Sequence, residues 1–128
     1  MMPTAGLVLF AHGARDPEWA LPFRDIAARV SSARPELSVK LAFLEFQPPA
    51  LGDAISELVA GGHQAIHIAP LFMAQGGHLK HDVPELLAAI RARHPALRLE
   101  LLPAIGDVPG LRDAIAGWLT TAVPGAPA

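Results

Sequence analysis

Cysteine is absent from the 128 residues, which removes disulfides, thiolate zinc sites, iron–sulfur clusters and cysteine nucleophiles together. No apolar run approaches the ~20 residues that a membrane helix needs. The longest lie around Gly6–Ala11 and Ala65–Ala74. Met1-Met2-Pro3-Thr4 puts no positive charge ahead of an apolar run, so it does not read as a secretory leader. Charge is scarce as well. Lys, Arg, Asp and Glu make up 17% of the chain and leave a formal −2, which offers no electrostatic footprint for nucleic acid. There is no internal repeat and no compact metal motif such as H-E-x-x-H. A cytoplasmic protein with no membrane and no nucleic-acid partner is the expectation.

What the chain has is apolar mass, 52% of its residues, punctuated by 13 prolines and 11 glycines. That is enough for one well-filled core and one domain, expected over residues 1–120 with a frayed tail at 121–128. Four short apolar runs read as strands: Gly6–Ala11, Val39–Phe46, Ala65–Phe72 and Leu97–Leu102. Helical spacing fills the intervals, in Phe23/Ile26/Ala27/Val30, Leu51/Ile55/Leu58/Val59, Val83/Leu86/Leu87/Ile90 and Leu111/Ile115/Trp118/Leu119. Pro49 fits a first helical turn and Gly61-Gly62 a helix end. Asp82-Val83-Pro84-Glu85 resembles a capping box, which predicts a helix start there and a loop over Gly76–His81. His94-Pro95 stops that helix. The order β-α-β-α-β-α-β-α predicts an α/β fold, a single open parallel four-stranded sheet with helices on both faces. Near-continuous apolar strands agree with burial on both sides.

In such sheets ligands bind beyond the carboxyl ends of the strands. Three of those ends present His12, Glu45 and His78, spaced 33 residues apart in each case, about one β-α unit. Imidazole and carboxylate together suit a borderline divalent ion and also serve as acids and bases near neutral pH. Each has a plainer reading: His12 as a loop-capping side chain, Glu45 in an ion pair with Arg15 or Lys80. Gly76-Gly77 with Lys80, and Arg15 from the first loop, offer places for a carboxylate or phosphate, or simply a turn with solvated charges. Phe72 and Met73 read as pocket wall or core, Trp19 as wall or partner surface, and Trp118 as core. His67, alternating with Ile66 and Ile68, is expected under a helix. His63 and His94 belong to helix ends, and His81 stands near enough to His78 to assist it or to do nothing.

Read together, the residues carry a resemblance. His12-Gly13-Ala14-Arg15-Asp16 after a strand, Ala42-Phe43-Leu44-Glu45, Ala69-Pro70-Leu71-Phe72, Gly76-Gly77-His78 and Asp82-Val83-Pro84, in that order, resemble the short form of the CbiX-type sirohydrochlorin chelatases. These are class II, ATP-independent tetrapyrrole chelatases. The resemblance covers about Gly6 to Leu119, and Ala14 stands where many members have serine. It implies a lyase that inserts a divalent metal, cobalt first and iron or nickel next, into sirohydrochlorin on the way to cobalamin or sirohaem. The metal is then a substrate, and no organic cofactor is needed. His12 and His78 would bind it, and Glu45 would complete the site or take up protons. Arg15, Lys80 and the Gly76-Gly77 amides would meet the substrate's carboxylates in a cleft lined by Leu71, Phe72, Met73 and Trp19. Short forms act as homodimers. The rival readings are a non-catalytic metal or tetrapyrrole carrier and, since His-Gly follows a first strand, a histidine-phosphatase-like phosphoryl transfer. The latter lacks its arginine before the histidine, where Ala11 stands.

Overall fold

A computed structural model describes residues 5–74 and 76–125, without the side chain of His78. The strands are β1 (Ala5–Ala11), β2 (Ser38–Phe43), β3 (Ala65–Pro70) and β4 (Arg98–Leu101). The helices are α1 (Leu21–Ala33), α2 (Leu51–Ala60), α3 (Gly77–Arg93) and α4 (Pro109–Ala122), with 3-10 turns at Pro17–Ala20 and Ile105–Asp107. The strands form one parallel sheet in the order β2-β1-β3-β4. Strand order reverses beside β1, where β2 lies to one side and β3 to the other, so the ligand position of an open α/β sheet falls at the carboxyl ends of these strands.

Strand alternation divides the core. Val8, Phe10, Ala42, Ile66, Ile68 and Leu99 face α2 and α3, where Leu51, Ile55, Leu58, Val83, Leu87 and Ile90 are buried against them. Each of the larger side chains contributes roughly 1.5–3 kcal/mol of burial, so this face carries most of the stability. The opposite face holds a smaller cluster of Ala11, Ala20 and Phe43 with Trp19, Phe23, Leu41 and Leu71 half-buried around it. Trp19 therefore belongs to packing, its ring 4.7 Å from that of Phe23.

Several sequence expectations shift. The third helix does not begin at Asp82: Gly76 is its N-cap and Pro84 lies inside it. Burial of Val83 and partial burial of Leu79 on one face favour the longer helix over the capping box. Pro49 precedes α2, whose N-cap is Ala50, because the Pro49 carbonyl accepts the Phe43 amide at 2.9 Å. Of the two glycines after α2, Gly62 takes the left-handed conformation. β2 stops at Phe43, and α4 runs on to Ala122, into the segment expected to fray.

The largest correction concerns α4. It packs mainly on the 3-10 turn before it and buries none of its residues. Trp118, expected in the core, is 65% exposed. Among the described residues, the β3–β4 half of the second sheet face is consequently open, and His67 lies there half-exposed, its Nε2 2.9 Å from Glu100 Oε2, with no helix packed above it.

Candidate metal and tetrapyrrole site

The two strands that carry the first site residues remain paired past their formal ends. Leu44 N–H donates to Ala11 O at 2.9 Å and Glu45 N–H to His12 O at 3.0 Å. This register sets the side chains of His12 and Glu45 side by side, Nε2 to Oε1 at 2.9 Å, each about half-exposed. Ligand atoms about 2.1 Å from a divalent ion and at roughly right angles to one another stand about 3 Å apart. The pair therefore has the separation of two ligands on one ion as well as that of an ion pair.

Gly13 makes the approach possible. Its φ is +98°, and a Cβ there would lie 1.9 Å from Glu45 O. Any side chain at this position would push the two loops apart. The contact is reinforced by Ala14 N–H donating to Gln47 Oε1 at 3.0 Å. Asp16 then caps the following turn, its Oδ1 accepting Glu18 N–H at 2.9 Å.

Beside the pair, Phe46 has φ +70° and is 54% exposed. A bulky residue in the left-handed region is uncommon and strained. The Arg15 guanidinium lies 5.2 Å from its ring centroid. A cation stacked on an exposed aromatic plane is a combined surface for an anionic, flat ligand.

The third loop contributes from the next strand over. Gly76, at the N-cap of α3, accepts the Lys80 N–H at 3.0 Å, and Lys80 is exposed one turn along. His78 falls in the first turn of α3, and its side chain lies outside the described residues. Met73 is exposed on this loop, whereas Phe72 is 7% exposed and packs edge-on to Phe10 at 5.6 Å. Phe72 is thus core and not cleft wall. The fourth loop wedges in beside it: Gly106 N–H donates to Phe72 O at 3.3 Å, and a Cβ on Gly106 would lie 1.4 Å from Met73 O.

A separate group stands on the second turn of α3. His81, Asp82 and Glu85 bring one ligand atom each within 4.8 Å, and His81 Nε2 lies 3.4 Å from Glu85 Oε1. His81 thus turns to Glu85. The i, i+4 spacing was the visible signal for this pair. For the Phe46 conformation and the Gly106 wedge the sequence carries no comparable signal, because both are set by contacts between loops distant in the chain.

The structure is thus a small α/β protein, a parallel sheet with an imidazole–carboxylate pair at its carboxyl edge and a cation stacked on an aromatic ring beside it. The CbiX family model matches residues 6–122. The chain belongs to that family. Among its relatives, the sirohydrochlorin cobaltochelatase of Saccharolobus islandicus strain L.S.2.15 is 38% identical over 84 residues, covering 64% of this chain and 62% of the relative. The protein of that name from Methanococcus aeolicus is 32% identical over 84 residues, covering 66% and 59%. The chain thus spans about 62% of the length of the first of these relatives. A cobalamin (vitamin B12) biosynthesis CbiX protein from Marinobacter aquaeolei VT8 superposes with a TM-score of 0.80 at 27% identity, over 92% of this chain and 96% of that one. The sirohydrochlorin chelatase SirB from Bacillus subtilis subspecies spizizenii, solved in complex with cobalt, gives 0.73 at 25% identity, over 94% of this chain and 51% of that chain.

Proposed function

We propose that this protein is a chelatase that inserts a divalent metal ion, cobalt foremost, into a sirohydrochlorin-type tetrapyrrole without ATP, as a homodimer. The observation that carries the reading is the His12–Glu45 pair, 2.9 Å apart and half-exposed at the sheet's carboxyl edge, in a chain of the CbiX family.

Insertion exchanges one doubly charged ion for two pyrrole protons, so a chelatase must hold the ion loosely and take up protons at the same place. A neutral imidazole and a carboxylate do both. When the ion passes from the pair to the macrocycle, the ligand atoms it leaves are free to accept a proton. At 2.9 Å a proton on either is shared with the other, and half-exposure lets it pass to water. A thiolate site would grip such ions too tightly. We assign to His78, at the start of α3, the role of a further ligand. Arg15 on the Phe46 ring and Lys80 are the cations that meet the substrate's carboxylates, and Met73 offers an apolar surface to the macrocycle. Gly76 and Gly77 keep their assignment as amide donors in the same loop. The homodimer is supported by the length of SirB, whose chain is about twice the part this fold covers.

The test is spectroscopic. Incubated with sirohydrochlorin and Co²⁺ and no nucleotide, the purified protein is expected to change the visible spectrum faster than the spontaneous reaction, through many turnovers. A single stoichiometric change that then stops would make it a carrier. No acceleration with cobalt, iron or nickel would remove the chelatase reading.

A further inference from the structure

The backbone ladder between the first and second loops stops just past the His12–Glu45 pair. Leu44 N–H to Ala11 O and Glu45 N–H to His12 O are its last rungs. Beyond them both chains turn into the left-handed region, at Gly13 (φ +98°) on one side and Phe46 (φ +70°) on the other, which strand pairing cannot run through. The next rung is a side chain. Ala14 N–H donates to Gln47 Oε1 at 3.0 Å. Among the described residues this is the one hydrogen bond that ties residues 13–15 to the second loop.

What the bond holds follows from its place. His12 and Glu45 lie on the strand side of the two turns, where backbone rungs already fix them. Arg15 lies on the far side, one residue past the bonded amide, and Phe46 stands one residue before the glutamine. Both are exposed, with the guanidinium 5.2 Å from the ring centroid. A cation over an exposed ring is a weak contact. It does not by itself order a loop that pivots on glycine, the residue with the most conformational freedom to lose. Ala14 and Gln47 are both half-buried, so their bond is better shielded from water than the stacked pair is.

We propose that Gln47 is a positioning residue, whose amide oxygen holds the Arg15 segment against Phe46 so that cation and ring stand ready for an anionic, flat macrocycle. The inference rests on the tetrapyrrole reading above and deepens it, because it assigns recognition of the macrocycle to a device separate from the metal pair. A surface ordered before its ligand arrives spares binding the entropy of ordering it. One hydrogen bond of ordinary net strength corresponds to about three- to tenfold in affinity.

Three measurements separate the parts. Gln47→Met keeps the length of the side chain and removes the acceptor, Gln47→Ser is polar and too short to reach, and Gln47→Glu keeps an acceptor oxygen. Amide hydrogen exchange of the free protein reads the bond itself. Ala14 N–H is expected to exchange roughly fivefold faster or more in the Met and Ser variants and near the wild-type rate in Gln47→Glu, with the Leu44 and Glu45 amides protected in all three. Fluorescence titration with metal-free sirohydrochlorin reads the stacked surface, and calorimetry with Co²⁺ reads the pair. In Gln47→Met and Gln47→Ser the Kd for sirohydrochlorin is expected to rise about three- to tenfold, with the Kd for Co²⁺ nearly unchanged. In an Arg15→Ala background the same substitutions should add little, since residues that act as a unit are not additive. Unchanged Ala14 exchange without the acceptor would overturn the proposal. So would faster exchange with an unchanged sirohydrochlorin Kd, an equal loss of Co²⁺ affinity, or effects that simply multiply with Arg15→Ala. A wild-type protein that binds no sirohydrochlorin would overturn the tetrapyrrole reading along with this one, whereas a failure confined to the Gln47 variants leaves that reading standing.

Discussion

The imidazole of His12 and the carboxylate of Glu45 keep a separation of 2.9 Å that serves a shared proton or a shared metal ion equally well. The two substitutions that test this pair differ in kind. His12→Ala removes a ligand and a proton acceptor, and since a positioned acid–base group is worth roughly 10²–10⁴-fold, kcat/KM is expected to fall about a hundredfold or more. Glu45→Gln keeps the shape and one oxygen, so a loss of about tenfold is expected. Both side chains are half-exposed, so thermal unfolding should hardly move in either variant; a large drop in melting temperature would reassign the pair to structure. Phe46 gives a second residue-scale prediction. At φ +70° a Cβ is penalised by roughly 1 kcal/mol or more, whereas glycine is not. Phe46→Gly and Phe46→Ala lose the same ring, yet the glycine variant is expected to be the more stable by about 1 kcal/mol in denaturant melts. Alanine equal to or above glycine would show that the backbone is relaxed there. Both variants should raise KM for the tetrapyrrole, because both remove the plane on which Arg15 rests.

At the scale of elements, α3 is the informative case. Pro84 stands inside it with no N–H to donate to the Lys80 carbonyl, and its ring crowds that carbonyl. An exposed proline in a helix interior costs up to about 3 kcal/mol relative to alanine. Pro84→Ala is therefore expected to raise the melting temperature. It should also lower the insertion rate, because straightening the helix moves the turn that carries His78 relative to the His12–Glu45 pair. A stabilised variant with full turnover would free Pro84 of any part in placing that turn. The same helix shows where a sequence stops being legible. Val83, Leu86, Leu87 and Ile90 announced their face by period, and Leu86 is half-buried and the others buried as read. The helix start was misread because a local capping pattern competes with burial of Leu79, and the pattern lost. His12 and Glu45 could be placed on one edge from strand order alone, but their 2.9 Å contact depends on Gly13 tolerating the neighbouring carbonyl. Trp118 and His67 failed for one shared reason. Period tells that a face is apolar or inward-looking and says nothing of what covers it, and here neither side chain is buried.

For the whole molecule, that shared failure turns into a property. The Gly106 wedge joins the base of α4 to Met73, on the loop that leads into α3 and its His78 turn. The base of α4 and the loop before α3 therefore share one backbone contact. For the proposed homodimer, the expected outcome is a specific activity that stays constant at micromolar protein and declines on dilution through the association constant measured by sedimentation. Specific activity flat down to concentrations where the protein sediments as single chains would uncouple the two. A rate constant that depends on how much of the catalyst is present makes a population of these molecules respond to its own abundance. Under the proposed function, doubling a scarce supply of the protein would more than double the rate of metallation, because the paired fraction grows along with the total.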